Sequence, residues 1–353
     1  LYPPQPNETS PGQSDTVSTG IDPFQLDTST APSELSVEVL DFDLNAGFDG
    51  VDALNDLLNE DVDDTFPVTR PDWTAGKTFS TFHISPYAKS RMSYSMERMA
   101  EMPEMMVKDN STMWCHPLLY EEDMPRSLQD AHAACALYIA KNDANSMFVS
   151  RHISERALEL SSAPLPSLPI EVLARTQALL LYLIMLLFSG DIRHAGLVGD
   201  IINHIEGACP SLKALADAEV DPSGTLPLFP SAAARSAWKS FIFRESTRRT
   251  LLTAYNFCAI CKLLRGRLTS CSHDLAIGNR VTFSAHLWSA KSAFAFAVAW
   301  NEKNHLLVKD LNLAPLLETA RPDDIDTYGK MVMIGVMGID DIEGWFYTRG
   351  GTL

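Results

Sequence analysis

The chain has 353 residues, 46% of them hydrophobic and 9% aromatic, which is enough apolar side chain for a large core. Its net charge of −17 is spread so unevenly that a single uniform globule is excluded. Six cysteines, mostly inside apolar stretches such as Ala133 to Leu137, argue for reduced thiols in an intracellular compartment and against a disulfide framework.

Residues 1–69 hold fifteen Asp and Glu and no Lys or Arg, so fifteen of the seventeen net negative charges lie there. The first 33 residues are rich in Pro, Ser, Thr and Gly, and burial there cannot offset the entropy lost on ordering, so disorder is expected. No basic stretch followed by an apolar one marks a signal peptide. The first residue is Leu1 rather than Met, which reads as a fragment, a processed product or a trimmed gene. In residues 34–64 the acids instead alternate with bulky apolar residues. Phe42, Leu44, Phe48, Val51, Leu54, Leu57 and Leu58 are the anchors of this segment, and from Phe48 their spacing gathers them on one helical face. Carboxylates that keep such anchors solvated suit a segment that folds into a partner's apolar groove, like the acidic activation segments that bind transcription co-activators.

Residues 70–125 contain scattered Pro, Met and aromatic residues without a sustained period, and either wrap the core or link to it. Helical patterning then continues over 126–346, leaving 347–353 as a tail. Ser127 is expected to cap a helix to about Asn142, and Ser146 or Met147 to start another ending near Ser161. Pro164, Pro166 and Pro169 then force a break. The apolar run from Ala178 to Phe188 is shorter than the ~20 residues that cross a bilayer and reads as a buried helix, with no membrane partner expected. Further helices are expected over Asp191–Ile205, ended by Gly207 and Pro210, and over Ser231–Leu264. The last three are expected at Ala285–Trp300, Leu311–Ala320 and Ile325–Ile339. No strand series is apparent, so the fold class is all-α, a multi-helix domain behind a disordered acidic arm.

Motif-like fragments mostly reduce to structure. Thr74 to Thr78 ends like a phosphate loop, but Pro71 stands where a glycine is required. Cys258, Cys261, Cys271 and His273 have ligand chemistry for zinc, but the first pair lies inside an apolar helix. Asp323, Asp324 and Asp326, with Asp340, Asp341 and Glu343, suggest the magnesium motifs of all-helical terpene cyclases, yet Thr327 and Gly344 stand one turn on, where a second carboxylate is needed. Asp323 and Asp324 suit helix capping instead. No catalytic, cofactor or metal site is assigned and no enzyme is expected, the cyclase being the alternative reading. One strongly basic stretch, residues 231–270, makes Arg244, Arg248 and Arg249 a candidate contact face for phosphates or for the acidic arm. Ion pairs to other helices are the plainer explanation.

Four ordered segments carry a family resemblance: Ala174 to Leu179, Gly190 to Arg193, Trp238 to Thr250 and Thr319 to Asp326, with Phe283 to Trp288 and Ala299 to Lys303 between the last two. Together they resemble the regulatory domain of fungal binuclear zinc-cluster transcription factors of the type found with secondary-metabolite gene clusters. The resemblance implies a nuclear regulator, an activator that works as a homo- or heterodimer. It also implies DNA binding through a six-cysteine module holding two zinc ions. Residues 1–69 contain no cysteine, so zinc is expected only in a module upstream of Leu1. The other reading is a non-DNA-binding partner that heterodimerises with a complete factor.

Overall fold

The structure, a computed structural model, describes residues 86–218, 221–265 and 278–353. The arm anchors Phe42, Leu44, Phe48, Val51, Leu54, Leu57 and Leu58 lie outside the described residues, as do Thr74 to Thr78, Cys271 and His273. What is described is an all-α fold with one small two-stranded ribbon.

The centre is helix α5, Pro169–Phe188, preceded by α1 (Pro86–Ala100), α2 (Met102–Asp109), α3 (Arg126–Ile139) and α4 (Ser146–Ser162). Pro169 occupies the first turn, where its missing N–H costs nothing, and Glu171 faces the positive end of the helix dipole. The run from Leu173 to Leu186 is buried on every side. A helix apolar all round has no solvent face, so it must be enclosed, here by α1 to α4 and by α6 and α7 below. Among the described residues this helix alone is long and apolar enough to cross a membrane, and most of it is buried within the fold.

Residues 86–125 wrap the core and do not merely link to it. Met99, Met102, Met106, Met113 and Trp114 are all buried in the same cluster as α5. Methionine has no strong sequence period of its own because its flexible thioether fills irregular gaps, which is why this segment carried no readable pattern. Helix α3 starts at Arg126 with Pro125, not Ser127, at its boundary, and Arg126 pairs with Asp130 one turn on.

Helix α6, Ala195–Ala218, differs from the expectation. It runs through Gly207 and Pro210 instead of ending there. Ile201, Ile202 and Ile205 before the proline and Cys209 and Leu212 around and after it are all buried, so packing on both sides holds the helix past a residue that removes a backbone bond. Helix α7, Ala232–Leu264, follows the expected bounds closely.

The C-terminal third is more broken than its pattern suggested. Strands β1 (Arg280–Thr282) and β2 (Leu307–Lys309) pair antiparallel with Val281 opposite Val308. Three residues each are too few to show an alternation. One expected helix is two, α8 (Ala285–Trp288) and α9 (Ala293–Glu302). Ser292 accepts from the Ala295 amide at 3.1 Å and starts the second. Helices α10 (Ala314–Thr319), α11 (Thr327–Met337) and α12 (Ile339–Thr348) follow. The last of these extends into the expected tail. Gly338 separates α11 from α12 at φ 96°, a left-handed conformation that glycine adopts without steric cost.

Candidate functional site

The polar centre of the fold lies on α7, whose middle is buried all round. Arg244 and Arg248 share one face, and Glu245 and Arg249 the next, because residues four apart stack on a helix. Arg249 is fully buried. Its Nε donates to Glu245 Oε1 at 3.2 Å, and its terminal nitrogens donate to the Met113 carbonyl at 3.3 Å, the Thr282 carbonyl at 2.8 Å and Asp326 Oδ2 at 2.6 Å. The guanidinium lies 3.8 Å from the Trp288 ring centre and 4.7 Å from that of Tyr328, a stacked cation between two aromatic faces.

The partners come from separate parts of the chain. Glu245 Oε1 also accepts the Thr282 amide at 2.9 Å, tying α7 to β1. Asp326 does two jobs: Oδ2 holds Arg249, while Oδ1 accepts the Gly329 amide at 2.8 Å and caps α11. Tyr120 donates to Gln177 Oε1 at 2.8 Å, and Gln177 donates to Thr250 at 3.0 Å, which joins α5 to the same turn of α7. His116 is pinned with its Nε2 against the Trp288 carbonyl at 3.0 Å and Nδ1 accepting the Leu118 amide at 3.2 Å. Burial pushes that imidazole down to about 4, with the Arg249 charge adding to the effect, so it is neutral at ordinary pH.

The three arginines expected as a contact face are therefore not on a surface. Arg244, Arg248 and Arg249 are 1%, 6% and 0% exposed. The count of charges within 231–270 missed the acids that neutralise them, which arrive from outside that stretch. Arg248 forms a two-pronged pair with Asp221 at 3.0 and 3.2 Å, and Arg244 Nε lies 2.9 Å from the same carboxylate. Asp221 is the member that sequence reasoning did not single out, and Asp326 and Trp288, though named, were not linked to α7, because no local spacing joins any of the three to it.

Two carboxylates are shifted in opposite directions. Burial pushes Glu245 up, against the pull of Arg249 and Arg248. Burial also opposes ionisation of Asp221, but the Arg248 hydrogen bond and charge, with Arg244 and Arg280 beyond, outweigh it and hold the carboxyl below its usual range. A carboxyl whose folded value is depressed adds stability that is complete above the unfolded value, roughly 4, and is lost as pH falls through the folded one. Asp221→Asn is expected to lower the urea midpoint at pH 6, with the gap from wild type closing as pH approaches about 3. A gap that stays constant over that range would contradict the pairing.

The acidic clusters are placed apart in role. Asp324 accepts the Arg321 amide at 3.2 Å and lies 2.9 Å from His286 Nε2, so it caps a turn and holds a neighbour. Asp340 and Asp341 are exposed in the first turn of α12. Among the described residues no group of three or more His, Cys, Asp or Glu is arranged to hold a metal ion. Cys258 and Cys261 are buried free thiols, and burial raises both.

Four of the six segments that carried the resemblance thus meet in space: Gln177, the turn from Arg244 to Thr250, Trp288 and Asp326 form one connected network. The chain is similar to a fungal transcription factor. It is 27% identical to the transcription factor gsfR2 of Penicillium aethiopicum over 265 residues, which are 73% of this chain and 62% of that protein. The match thus covers less than two thirds of the relative's length. No protein-family model matches the chain, and no solved structure matches it.

Proposed function

We propose that this chain is the regulatory part of a nuclear transcriptional activator of the zinc-cluster type, acting on the genes of a secondary-metabolite cluster. Residues 34–64 recruit co-activators through Phe42, Leu44, Phe48, Val51, Leu54, Leu57 and Leu58. The helical domain, held together internally by the Glu245–Arg249–Asp326 network, is the regulatory unit and pairs as a homo- or heterodimer. DNA is contacted through a zinc module upstream of Leu1, and no cofactor is held by the chain itself. The observation that carries this reading is the similarity to gsfR2 over 265 residues. The acidic arm, with fifteen acids and no base, supplies the effector half.

Fusing residues 1–69 to an unrelated DNA-binding domain is expected to activate a reporter well above the unfused domain. Replacing Phe42, Phe48, Leu54, Leu57 and Leu58 together by Ala is expected to return it to background, since the acids alone offer a groove nothing apolar to hold. A five-fold Ala variant that still activates would defeat the anchor mechanism.

A further inference from the structure

Helix α4 has two different sides. Val149, Ile153 and Ala157 point into the fold and are buried. At 3.6 residues per turn, positions two and five residues before and after Ile153 all fall on the side away from it. Those positions are Phe148, Arg151, Glu155 and Leu158. Phe148 is 64% and Leu158 55% exposed, and Arg151 and Glu155 are exposed between them. Neither Arg151 nor Glu155 forms an ion pair with a described residue, whereas the neighbouring Arg156 pairs with Glu159.

The outward order is apolar, basic, acidic, apolar, and reversing it gives its own complement. We infer that α4 pairs antiparallel with α4 of a second copy of this chain, about a two-fold axis crossing the helix on the side opposite Ile153. Phe148 of each copy then meets Leu158 of the other, and Arg151 meets Glu155, every contact occurring twice as a two-fold interface requires. A parallel pairing is disfavoured by the same residues, because it sets Arg151 against Arg151 and Glu155 against Glu155.

The ends of the helix extend the argument. Met147, 66% exposed, adjoins Phe148, and Ile139, 46% exposed, ends α3 close to the start of α4. Leu165 and Leu168, 77% and 57% exposed, follow its other end. Antiparallel pairing brings the leucines of one copy to the Ile139 end of the other. That carries apolar contact beyond the ~25 Å of the helix, toward the ~1,200 Å² of total surface that stable interfaces bury. This surface gives a location to the pairing proposed above, and it needs no role in transcription.

Sedimentation equilibrium of the full chain tests it, with circular dichroism as a check on folding. Wild type is expected to show a reversible monomer–dimer equilibrium, and Phe148→Asp to be monomeric with unchanged helicity. Arg151→Glu and Glu155→Arg are each expected to weaken self-association by about ten-fold or more, since both ion pairs become like-charge contacts. An equimolar mixture of the two variants is expected to recover dimer, because each reversed charge then meets its opposite on the partner. A monomeric wild type, a dimer indifferent to these substitutions, or a mixture that fails to recover would overturn the proposal. The reporter assay of the arm is untouched by any of these results, so failure of the interface and failure of the transcriptional reading are distinguishable.

Discussion

Arg249→Met is expected to lower the stability of the helical domain by about 3–5 kcal/mol, the usual cost of removing one partner from a buried ion pair. The reason lies in what the substitution leaves behind. Glu245 is fully buried, and its Oε1 would keep the Thr282 amide but lose the guanidinium. Asp326 would lose its link to α7 while still capping α11, and the carbonyls of Met113 and Thr282 would lose their donors. Methionine replaces most of the volume between Trp288 and Tyr328, so the loss reads chiefly as electrostatics and hydrogen bonding. Arg249→Met combined with Glu245→Leu is expected to recover part of the loss, because the fully buried carboxylate is then removed and only Asp326 is left without its cation. Urea unfolding followed by circular dichroism measures both. A single-variant loss below about 1 kcal/mol would show that the network is not what fastens the C-terminal third to α7.

Trp114→Ala carries the second large effect, about 3–5 kcal/mol, the range for removing a fully buried aromatic side chain from a packed core. Trp114 is 0% exposed and sits in the stretch between α2 and α3, flanked by buried Met113 and Cys115. The Thr112 side chain and carbonyl both accept from the Cys115 amide, holding that turn against the core. The prediction separates the two readings of this segment, since a linker would tolerate the change within about 0.5 kcal/mol. A urea midpoint well below that of wild type would place residues outside the readable helical pattern within the core, and an unchanged midpoint would contradict that placement.

How much was legible in the sequence depends on how local the cause was. The long helix from Ala232 to Leu264 and the central helix from Pro169 to Phe188 carried their signals within themselves: Ser231 and Pro230 before one, Pro169 and Gly190 around the other. Pro210 misled because its neighbours Ile205, Cys209 and Leu212 are held by α5 and α7, and tertiary burial outweighed a local penalty. The short ribbon was invisible because Val281 and Val308 are 27 positions apart and each strand is a single alternation long. The arginine cluster shows the same limit from the electrostatic side. Arg244, Arg248 and Arg249 were legible as an unusual concentration of charge, but their direction was not. Whether a cation faces water or a buried carboxylate is decided by Asp221 and Asp326, and folding alone brings those to α7. The residues around Gln177, Arg249, Trp288 and Asp326 touch in one network that no single motif in the sequence revealed.

The central claim, that this chain serves a regulator acting on promoters, is tested most directly by chromatin immunoprecipitation of the protein at its natural length in the cells that express it, sequenced genome-wide. The account predicts sharp occupancy at a limited set of promoters whose transcripts fall when the arm anchors Phe42, Phe48, Leu54, Leu57 and Leu58 are replaced by Ala. Occupancy no higher than that of an untagged control, at any promoter, would contradict it.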